Sequence, residues 1–374
     1  IDKESKEMHF VISREAFLKP LQLVSGVVER RQTLPVLSNV LLDLKQSELS
    51  LTGTDLEVEL VGRVTVDQMH TSGAVTVPAR KLLDICKSLS DDAIIELLLA
   101  ENKVTLKSGR SRFTLTTLPA SEFPGVDEEP DTFSITMQQG KLRELLDSTS
   151  FAMAQQDVRY YLNGMLFEVA ADYLRVVATD GHRLAMETLS MSNPILEPQQ
   201  LILPRKGIME MARLLTDDAG EISLTFGQNH IRASVPAFTF TSKLVDGKFP
   251  DYNRVLPKGG NKVLLGNCQE LRQAFSRASI LSNEKYRGVR VLLSNGELKI
   301  LANNPEQEEA EEIVSVDYEG DSVEIGFNVS YLIDVLSTLN SQRARITLSD
   351  PNSSALLEAE EGSDALYVVM PMRL

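Results

Sequence analysis

An aspartate and a histidine lie two residues apart in the segment Thr179-Asp180-Gly-His182-Arg183 and could form an acid–base pair. On a strand the two side chains would point to one face, within reach of one substrate. Two related segments break the pattern, because they read Thr54-Asp55-Leu-Glu57 and Asn303-Asn304-Pro-Glu306. The chain also has no phosphate-binding Gly-rich loop, no metal-spaced Cys/His cluster and no nucleophile elbow. The residues therefore favour a protein that is not an enzyme and that needs no metal or cofactor.

The composition is that of a globular protein with two or three domains. The chain has 374 residues, of which 43% are hydrophobic and 24% are charged, and a domain typically takes about 100–200 residues. No apolar run approaches the roughly 20 residues of a membrane span, and the charged start does not resemble a secretion signal. Cys86 and Cys268 lie in apolar helical patterns, which favours reduced core thiols over a disulfide or a metal site. We expect a cytoplasmic protein without membrane contact.

Three similar blocks recur at intervals of about a third of the chain. The clearest marker is a helix that begins at Pro78, at Pro204 and at Asn328. In each block, apolar residues then follow at i, i+3, i+4 and i+7, which predicts one buried stripe per helix. The stripes are Leu82, Ile85, Cys86 and Leu89; Ile208, Met211, Ala212 and Leu215; and Leu332, Val335, Leu336 and Leu339.

Each block also has an earlier helix, and a strand between its two helices. The earlier helices contain Leu18-Lys-Pro-Leu, Leu142-Arg-Glu-Leu and Leu271-Arg-Gln-Ala, and Pro20 is expected to kink or shorten the first. The strands begin at Leu49, Leu174 and Leu298 and run into the polar pairs Thr54-Asp55, Thr179-Asp180 and Asn303-Asn304. The predicted fold class is α+β, with three similar domains that each pack two helices on antiparallel β-sheet.

Clusters of Pro, Gly and acidic residues place the joints between domains near Glu128–Asp131 and Pro257–Asn261. The expected domains are therefore 8–128, 129–257 and 258–374. Residues 1–7 match no later part of the chain. We expect them to be a cloning remnant that precedes a native Met8.

The charge of the chain is unevenly distributed. The formal net charge of −15 argues at first sight against nucleic-acid binding. The predicted helices nevertheless carry 12 Lys or Arg and 7 Asp or Glu, which gives them a net charge of +5 and leaves −20 for the rest of the chain. These six helices are predicted at 13–28, 79–89, 141–149, 205–215, 269–279 and 328–339. The outer faces of the second helices hold Arg80, Asp84 and Lys87; Lys206, Glu210 and Arg213; and Ser330, Asp334 and Ser337. Solvated helix faces explain any one of these, but a positive lining could hold DNA by enclosure, through phosphates and without sequence preference.

Long motifs spread over residues 8–374 resemble the beta subunit of bacterial DNA polymerase III, the sliding clamp, in its gamma-proteobacterial form. The motifs are Leu51-Thr-Gly-Thr-Asp-Leu-Glu, Gln156-Asp-Val-Arg-Tyr-Tyr-Leu-Asn-Gly-Met, Ala178-Thr-Asp-Gly-His-Arg-Leu-Ala, Phe249-Pro-Asp-Tyr, Ala302-Asn-Asn-Pro-Glu-Gln-Glu-Glu-Ala-Glu-Glu and Tyr367-Val-Val-Met-Pro-Met-Arg-Leu. The resemblance implies the DNA clamp fold, in which two three-domain chains join head to tail as a homodimeric ring around duplex DNA. Such a ring is a processivity factor and has no catalytic activity.

The resemblance also implies a dimer interface between the first domain of one chain and the third domain of the other. One side would contain Lys81, Lys103, Arg110, Arg112, Phe113 and Leu115, and the other Ile280, Leu281, Glu306, Gln307, Glu308, Glu309, Glu311 and Glu312. A strand at Arg112–Thr117 could pair across a sheet edge, and opposite charges would select the partner. A solvated acidic face or a weak cation site is the alternative for the glutamate run.

A groove for client proteins is the second implied site. Its first pocket would contain Leu162, Thr179, Gly181, His182, Arg183, Leu184, Pro250, Val255, Val368 and Met370, and a neighbouring part Tyr161, Arg254, Asn328, Tyr331, Ser354, Pro371 and Met372. Leu, Val, Pro and Met side chains suit an adaptable apolar slot for an extended peptide. On sequence alone, a final core strand with a frayed end is the favoured interpretation of Val368–Leu374.

For DNA contact, the resemblance points to residues on helices and loops that face the hole. They are Arg31, Arg80, Gln156, Tyr160, Tyr161, Arg205, Lys206 and Lys258. The tyrosines could stack on a strand, although paired tyrosines are more often core residues. The implied partners are duplex DNA, a second copy of the chain, the clamp loader, the replicative polymerase alpha subunit, translesion polymerases, ligase and mismatch-repair proteins. The client proteins would bind through short linear motifs. A scaffold that binds proteins but not DNA is the competing interpretation.

Overall fold

A computed structural model describes residues 7–29, 34–125 and 130–374. Arg31, residues 1–6 of the expected cloning remnant, and Glu128 and Glu129 of the expected joint lie outside the described residues. Glu7, the last residue of that expected remnant, already belongs to the first strand and pairs with Ala100.

The first repeat contains nine strands and two helices within the described residues. In chain order they are β1 (Glu7–Ser13), α1 (Arg14–Ser25), β2 (Asn39–Lys45), β3 (Glu48–Thr54), β4 (Val58–Thr65), β5 (Gln68–Thr71), β6 (Gly73–Pro78), α2 (Ala79–Ser88), β7 (Ile94–Ala100), β8 (Lys103–Ser108) and β9 (Ser111–Thr116).

Within the described residues, the central and last repeats follow the same order, except that neither has a counterpart of β5. The central repeat comprises β10 (Phe133–Gln138), α3 (Gln139–Thr149), β11 (Gly164–Ala170), β12 (Tyr173–Thr179), β13 (Arg183–Ser190), β14 (Gln199–Pro204), α4 (Arg205–Leu214), β15 (Glu221–Phe226), β16 (His230–Val235) and β17 (Phe238–Lys243). The last repeat comprises β18 (Lys262–Asn267), α5 (Cys268–Ser279), β19 (Gly288–Ser294), β20 (Glu297–Asn303), β21 (Glu309–Ser315), β22 (Val323–Asn328), α6 (Val329–Thr338), β23 (Arg343–Leu348), β24 (Ala355–Ala359) and β25 (Leu366–Val369).

The strands of the described residues form four antiparallel sheets. Two sheets have the strand orders β5-β1-β7-β8-β9 and β10-β15-β16-β17-β4-β3-β2-β6. The other two have the orders β14-β11-β12-β13-β25-β24-β23-β18 and β21-β20-β19-β22. Each eight-stranded sheet therefore combines four strands of the central repeat with four strands of a neighbouring repeat.

This sharing of sheets explains why the chain divides into two compact units although its sequence has three repeats. The first unit is Ile1–Gly140 with Met209–Leu244, and the second is Lys141–Ile208 with Val245–Leu374. Pairing of β17 with β4 ties one half of the central repeat to the first repeat. Pairing of β13 with β25 ties the other half to the last repeat.

The periodicity of the second helices gave their positions correctly. Helices α2, α4 and α6 each have 10 residues and begin one residue after Pro78, Pro204 and Asn328. The predicted stripes face inward, because 9 of their 12 members are buried and the remaining Ile85, Leu89 and Ala212 are half-buried. The six helices carry the expected 12 basic and 7 acidic residues within their observed bounds.

The expectation for Pro20 was wrong as to helix length. Helix α1 continues past Pro20 to Ser25 and has 12 residues, the same length as α5. Pro20 is buried, and a Cβ added at Gly62 of β4 would lie 2.9 Å from the Pro20 Cβ. The glycine opposite the proline ring therefore allows the helix to pack closely on the sheet, and packing outweighs the lost backbone hydrogen bond.

Both cysteines are free and buried, as the sequence predicted. Burial raises the pKa of the Cys86 thiol to about 12, despite the opposing charge of Arg14, and burial also raises the pKa of Cys268. Among the residues described, no helix combines the length and apolarity that crossing a bilayer requires.

Candidate functional site

The segment that could have been an acid–base pair is a tight turn between β12 and β13. Asp180 Oδ1 accepts hydrogen bonds from the backbone N–H groups of His182 and Arg183, at 2.9 and 3.0 Å. Thr179 Oγ1 donates to the Arg183 carbonyl at 2.6 Å. Asp180 and His182 are therefore not on one strand face, which corrects the expectation from the sequence. The Asp180 carboxylate holds the backbone of a turn.

The same turn recurs at the equivalent place in the first repeat. Thr54 Oγ1 donates to the Val58 carbonyl at 2.8 Å, and Asp55 Oδ1 accepts from the Glu57 and Val58 N–H groups at 2.9 and 2.8 Å. The residue after the aspartate has a positive φ in both turns, 89° at Gly181 and 78° at Leu56. The polar pairs found in the sequence are thus turn-forming residues.

Beside the Thr179 turn, the second unit contains a cavity of about 160 Å³. Its lining combines the turn, the end of β25 and the segment after β17. The lining residues are Arg159, Tyr161, Leu162, Thr179, Gly181, Arg183, Pro250, Val255, Val368 and Met370. We call this cavity with its lining the groove. All of its lining residues except Arg159 had been proposed from the resemblance.

Two residues proposed for the first pocket do not line the cavity. Leu184 is only 2% exposed and packs in the core cluster with Phe249, Tyr252 and Val368 beneath the groove. His182 is exposed, and its ring stacks on the ring of Tyr331 with centroids 6.5 Å apart. Leu184 therefore supports the floor of the groove, and His182 lies beside it.

Arg183 anchors the base of the groove. Its guanidinium pairs with Asp334 of α6, contacts Asp180 at 3.2 Å and donates to the Phe151 carbonyl at 3.0 Å. The guanidinium carbon also lies 4.6 Å from the centre of the Tyr331 ring. These contacts hold one side chain of the groove lining in a fixed orientation.

Arg159, which sequence reasoning missed, is fixed in a similar way. Its side chain forms a two-pronged contact with the carboxylate of Asp157, at 3.0 and 2.9 Å. These hydrogen bonds lower the pKa of Asp157 to about 2. The spacing of Asp157 and Arg159 was visible in the sequence, but a local ion pair of this kind does not by itself indicate a binding surface.

The residues proposed for the neighbouring part of the groove are only partly brought together. Arg254 and Ser354 line a cavity of about 370 Å³ that shares Val255 with the groove. Asn328 caps helix α6, since its Oδ1 accepts from the Ser330 N–H at 2.9 Å. Pro371 lies between Met370 of the groove and Met372.

The C-terminal segment after β25 is held in place. The Met370 N–H donates to the His182 carbonyl at 3.0 Å, and the Met372 N–H donates to the Gly326 carbonyl at 2.7 Å. In the first repeat, Leu118 and Thr76 form an equivalent bridge. The tail is therefore a regular feature of the repeat and not a frayed strand end.

A buried polar cluster supports the wall of the groove that carries Pro250 and Val255. Glu168 is 7% exposed and accepts hydrogen bonds from Tyr252 at 2.6 Å, from Tyr173 at 2.9 Å and from Gln200. Arg175 donates to the Tyr252 hydroxyl at 2.8 Å and lies 3.6 Å from Glu168.

The cluster keeps Glu168 ionised. Burial alone would raise the pKa of Glu168, but the hydrogen bonds from Tyr252, Gln200 and Tyr173, with the charge of Arg175, lower it below its ordinary value. Burial, together with the bond to Glu168, raises the pKa of Tyr173 to about 12. The hydrogen bond between Tyr173 and Glu168 therefore joins a neutral phenol to a charged carboxylate.

Each unit also has an open sheet edge at the residues proposed for the dimer interface. Strand β9 is the edge of the five-stranded sheet and carries Arg112, Phe113 and Leu115. Strand β21 is the edge of the four-stranded sheet and carries Glu309, Glu311 and Glu312. Strand β9 begins at Ser111 and ends at Thr116, one residue earlier at each end than the predicted strand Arg112–Thr117.

The chemistry of the two edges is opposite. Lys81, Lys103, Arg110 and Arg112 are exposed in the first unit, and Glu306, Gln307, Glu308, Glu309 and Glu311 are exposed in the second. Ile280 is 76% exposed, and Leu281 is half-buried. Glu312 is paired with Arg277 of α5 at 2.6 Å, and this hydrogen bond lowers the pKa of Glu312.

The residues proposed for DNA contact are exposed to different degrees. Arg80, Gln156, Tyr160 and Lys258 are exposed, whereas Tyr161, Arg205 and Lys206 are half-buried. The 56% exposure of Tyr160 excludes the core role that paired tyrosines usually have. Tyr160 and Tyr161 meet edge to face, with ring centroids 5.8 Å apart, in a short 3-10 turn at Tyr160–Leu162.

Comparison with known proteins accounts for nearly the whole chain. Family models of the DNA polymerase III beta subunit match as N-terminal domain at residues 8–127, central domain at 136–251 and C-terminal domain at 253–373. The beta sliding clamp of Pseudomonas putida is 65% identical over 369 residues, covering 98% of this chain and all of that protein.

Solved structures agree with this relationship. A crystal structure of the DNA polymerase III subunit beta of Pseudomonas aeruginosa has a TM-score of 0.96 and 64% identity, covering 98% of this chain and all of that one. A structure of the same species' sliding clamp bound to griselimycin has the same TM-score, identity and coverage. The chain belongs to the family of DNA polymerase III beta subunits, the bacterial beta sliding clamps.

Proposed function

We propose that this chain is a non-catalytic DNA sliding clamp of the cytoplasm that closes as a head-to-tail homodimeric ring around duplex DNA. The groove tethers the replicative polymerase and other replication and repair proteins to the DNA. The observation that carries the proposal is the pair of open edges at β9 and β21, one basic and one acidic.

The joints within the chain support a pairing between these two edges. In the central repeat the last strand is β17, and it pairs with β4, the fourth strand of the first repeat. The last strand of the last repeat, β25, pairs with the corresponding strand of the central repeat, β13. The same rule leaves β9 and β21 as partners, and two copies of the chain would satisfy both edges.

The registers of these two pairings within the chain also predict the register between β9 and β21. Phe240 lies opposite Leu60, and Tyr367 lies opposite Ala185. The equivalent residue of β9 is Phe113, and the equivalent position of β21 is Ala310. This register sets Arg112 opposite Glu311, so that the charges of the two edges attract across the joint.

A double substitution tests ring closure. Arg112→Glu with Ile280→Glu places like charge and a buried carboxylate at the joint, and we expect monomers in sedimentation velocity. Lys45→Glu with Val263→Glu, at exposed positions away from both edges, is the matched control and keeps the dimer. A double variant of Arg112 and Ile280 that sediments as a dimer would contradict the proposed interface.

DNA binding is expected to be topological. The helices hold a net charge of +5 in a chain of −15, which suits loose contact with phosphates and not tight binding. A ring loaded on nicked circular DNA should stay bound and should dissociate when the circle is cut once. Equal retention on circular and linear DNA would refute enclosure, and a low-resolution image without a central opening would favour a scaffold that binds proteins alone.

The groove suits an extended peptide with hydrophobic anchors. Burial of two or three Leu or Phe side chains at about 1.5–3 kcal/mol each, less the ordering cost, gives affinities around micromolar. Such affinities would let the clamp loader, the polymerase alpha subunit, translesion polymerases, ligase and mismatch-repair proteins exchange. The relative bound to griselimycin shows that a clamp of this family takes a ligand.

Removal of the tail tests the groove. Deletion of Met370–Leu374 removes the Met370 side chain from the lining and should abolish binding of a polymerase-derived peptide while the dimer persists. Met370→Leu keeps an apolar side chain of similar size and should retain binding. Unchanged peptide affinity after the deletion would refute the assignment.

The domain boundaries belong to the same proposal. We place them at 8–128, 129–257 and 258–374. Val255 and Leu256 pack against the cluster that contains Phe249 and Tyr252, which supports a boundary just after them. Limited proteolysis should cut first near these boundaries, and early cuts inside β11–β13 would contradict them.

A further inference from the structure

The first unit contains a cavity of about 140 Å³ built on the same plan as the groove. Its lining comprises Thr54, Leu56, Glu57, Val58, Pro124, Gly125, Asn229, His230, Thr241 and Lys243. We infer that this cavity, which we call the second pocket, is a binding site for a short extended peptide with an aliphatic side chain next to an acidic one.

The second pocket repeats the groove element by element. Thr54 and Val58 belong to the turn that is equivalent to the turn of Thr179 and Arg183, with the same hydrogen bonds. Pro124 follows Phe123 as Pro250 follows Phe249. The peptide class is taken from the groove, so this inference rests on the proposed function of the groove.

The opposite wall is equivalent as well. Thr241 of β17 pairs with Glu59, just as Val368 of β25 pairs with Leu184. Two residues later, Lys243 takes the place of Met370. Strand pairing at both joints therefore leaves a similar space in front of the turn, and its volume is close to that of the groove.

The second pocket differs from the groove at four equivalent positions, with Leu56 for Gly181, Val58 for Arg183, Thr241 for Val368 and Lys243 for Met370. Val58 and Lys243 change the ligand chemistry most. Val58, which is 1% exposed, replaces Arg183, so a buried aliphatic side chain stands where the groove has a guanidinium. Lys243 is exposed and replaces a thioether with an ammonium group at the mouth. An aliphatic anchor over Val58 and a carboxylate beside Lys243 would satisfy both.

A strained residue stands at the mouth of the second pocket. Leu56 has a φ of 78° and is 42% exposed, at the position where the groove has Gly181. A γ-branched side chain at positive φ is unfavourable, and strain of this kind often accompanies functional sites. Leu56 presents an apolar surface to a ligand at a place where glycine would fit with less strain.

The test uses the full-length protein with labelled Leu and Val methyl groups in NMR titrations. The probes are acetyl-Ala-Leu-Asp-Ala-amide and its charge-reversed match, acetyl-Ala-Leu-Lys-Ala-amide. We expect saturable shifts at Leu56 and Val58 in the millimolar range, with the acidic peptide bound about threefold more tightly, as a surface ion pair allows. The absence of saturable shifts at Leu56 and Val58, or equal affinity for both peptides, would overturn the inference.

Two variants separate the second pocket from the groove. Lys243→Met should remove the preference for the acidic peptide and keep aliphatic binding, and Leu56→Gly should weaken both peptides without lowering the midpoint of urea unfolding. Val255 and Val368 report on the groove in the same spectra. Deletion of Met370–Leu374 should abolish shifts at the groove and leave those at Leu56 and Val58, so failure of one site is distinguished from failure of the other.

Discussion

The Tyr252 hydroxyl donates a 2.6 Å hydrogen bond to Glu168 Oε1, although the two residues are 84 positions apart in the chain. Tyr252 begins the short 3-10 turn that separates Pro250 from Val255, two residues of the groove lining. This hydrogen bond therefore ties one wall of the groove to the buried strand β11.

Tyr252→Phe removes this hydrogen bond and keeps the ring. We expect the unfolding free energy to fall by about 1–3 kcal/mol, because Glu168 stays buried with one donor fewer. Peptide affinity at the groove should fall several-fold. Urea unfolding and fluorescence anisotropy measure the two effects, and Tyr286→Phe at an exposed tyrosine is the control. An unchanged midpoint for Tyr252→Phe would show that Glu168 does not depend on the phenol.

The loss of unfolding free energy caused by Glu168→Gln should depend on pH. The pKa of Glu168 is lowered on folding, so its ionised form contributes stability above the ordinary carboxyl pKa of about 4.5. That contribution is lost as the pH falls through the lowered pKa. The difference in unfolding free energy between wild type and variant should thus be largest at neutral pH and shrink in acid. Glu319→Gln, at an exposed position, serves as the control, and a difference that grew in acid would contradict the predicted direction.

A charge exchange tests the register between β9 and β21. Arg112→Glu alone and Glu311→Arg alone should each weaken the dimer at least about tenfold, because like charges would face each other. The two substitutions together should restore most of the affinity, as measured by sedimentation equilibrium. Pairing Arg112→Glu with Glu319→Arg is the mismatched control. Rescue by that control, or no rescue by the matched pair, would exclude this register.

Arg183→Lys should destabilise the protein although it keeps the charge. Lysine cannot reach Asp180, Asp334 and the Phe151 carbonyl together, so we expect a loss of about 1–3 kcal/mol in unfolding free energy. Arg254→Lys is a suitable control, since Arg254 is 86% exposed beside Asp251. Equal effects of the two substitutions in urea unfolding would count against an anchoring role for Arg183.

The cysteines should report on the opening of each unit. Cys86 lies in the first unit and Cys268 in the second, and both are buried with raised pKa values. A thiol reagent should label single-cysteine variants slowly in native buffer and rapidly in urea. Rapid labelling of either cysteine in native buffer would contradict the burial.

The sequence predicted the repeated helices well because helical periodicity is a local property. Nine of the twelve residues in the predicted stripes are buried, and the helix starts are within one residue. The turns were harder to predict. Thr179 and Asp180 follow a strand in sequence, and only the hydrogen bonds from the His182 and Arg183 N–H groups show that the chain reverses there.

The candidate site could be predicted only as far as the resemblance extended. The resemblance implied nine of its ten lining residues but not Arg159, although Arg159 lies within one of the motifs. The Glu168 cluster could not be predicted, because Gln200 and Tyr252 approach it through tertiary packing and no local pattern relates them. The division into two units was equally hidden, since it depends on which strands pair.

The shared sheets have a consequence for any attempt to divide the chain. A fragment cut at the family boundaries would expose β13 and β17, two interior strands, as bare hydrogen-bonding edges. The central repeat produced by itself should therefore aggregate, or borrow strands from other fragments, and not behave as an independent folding module. Fragments intended for biophysical work would do better to keep each eight-stranded sheet whole.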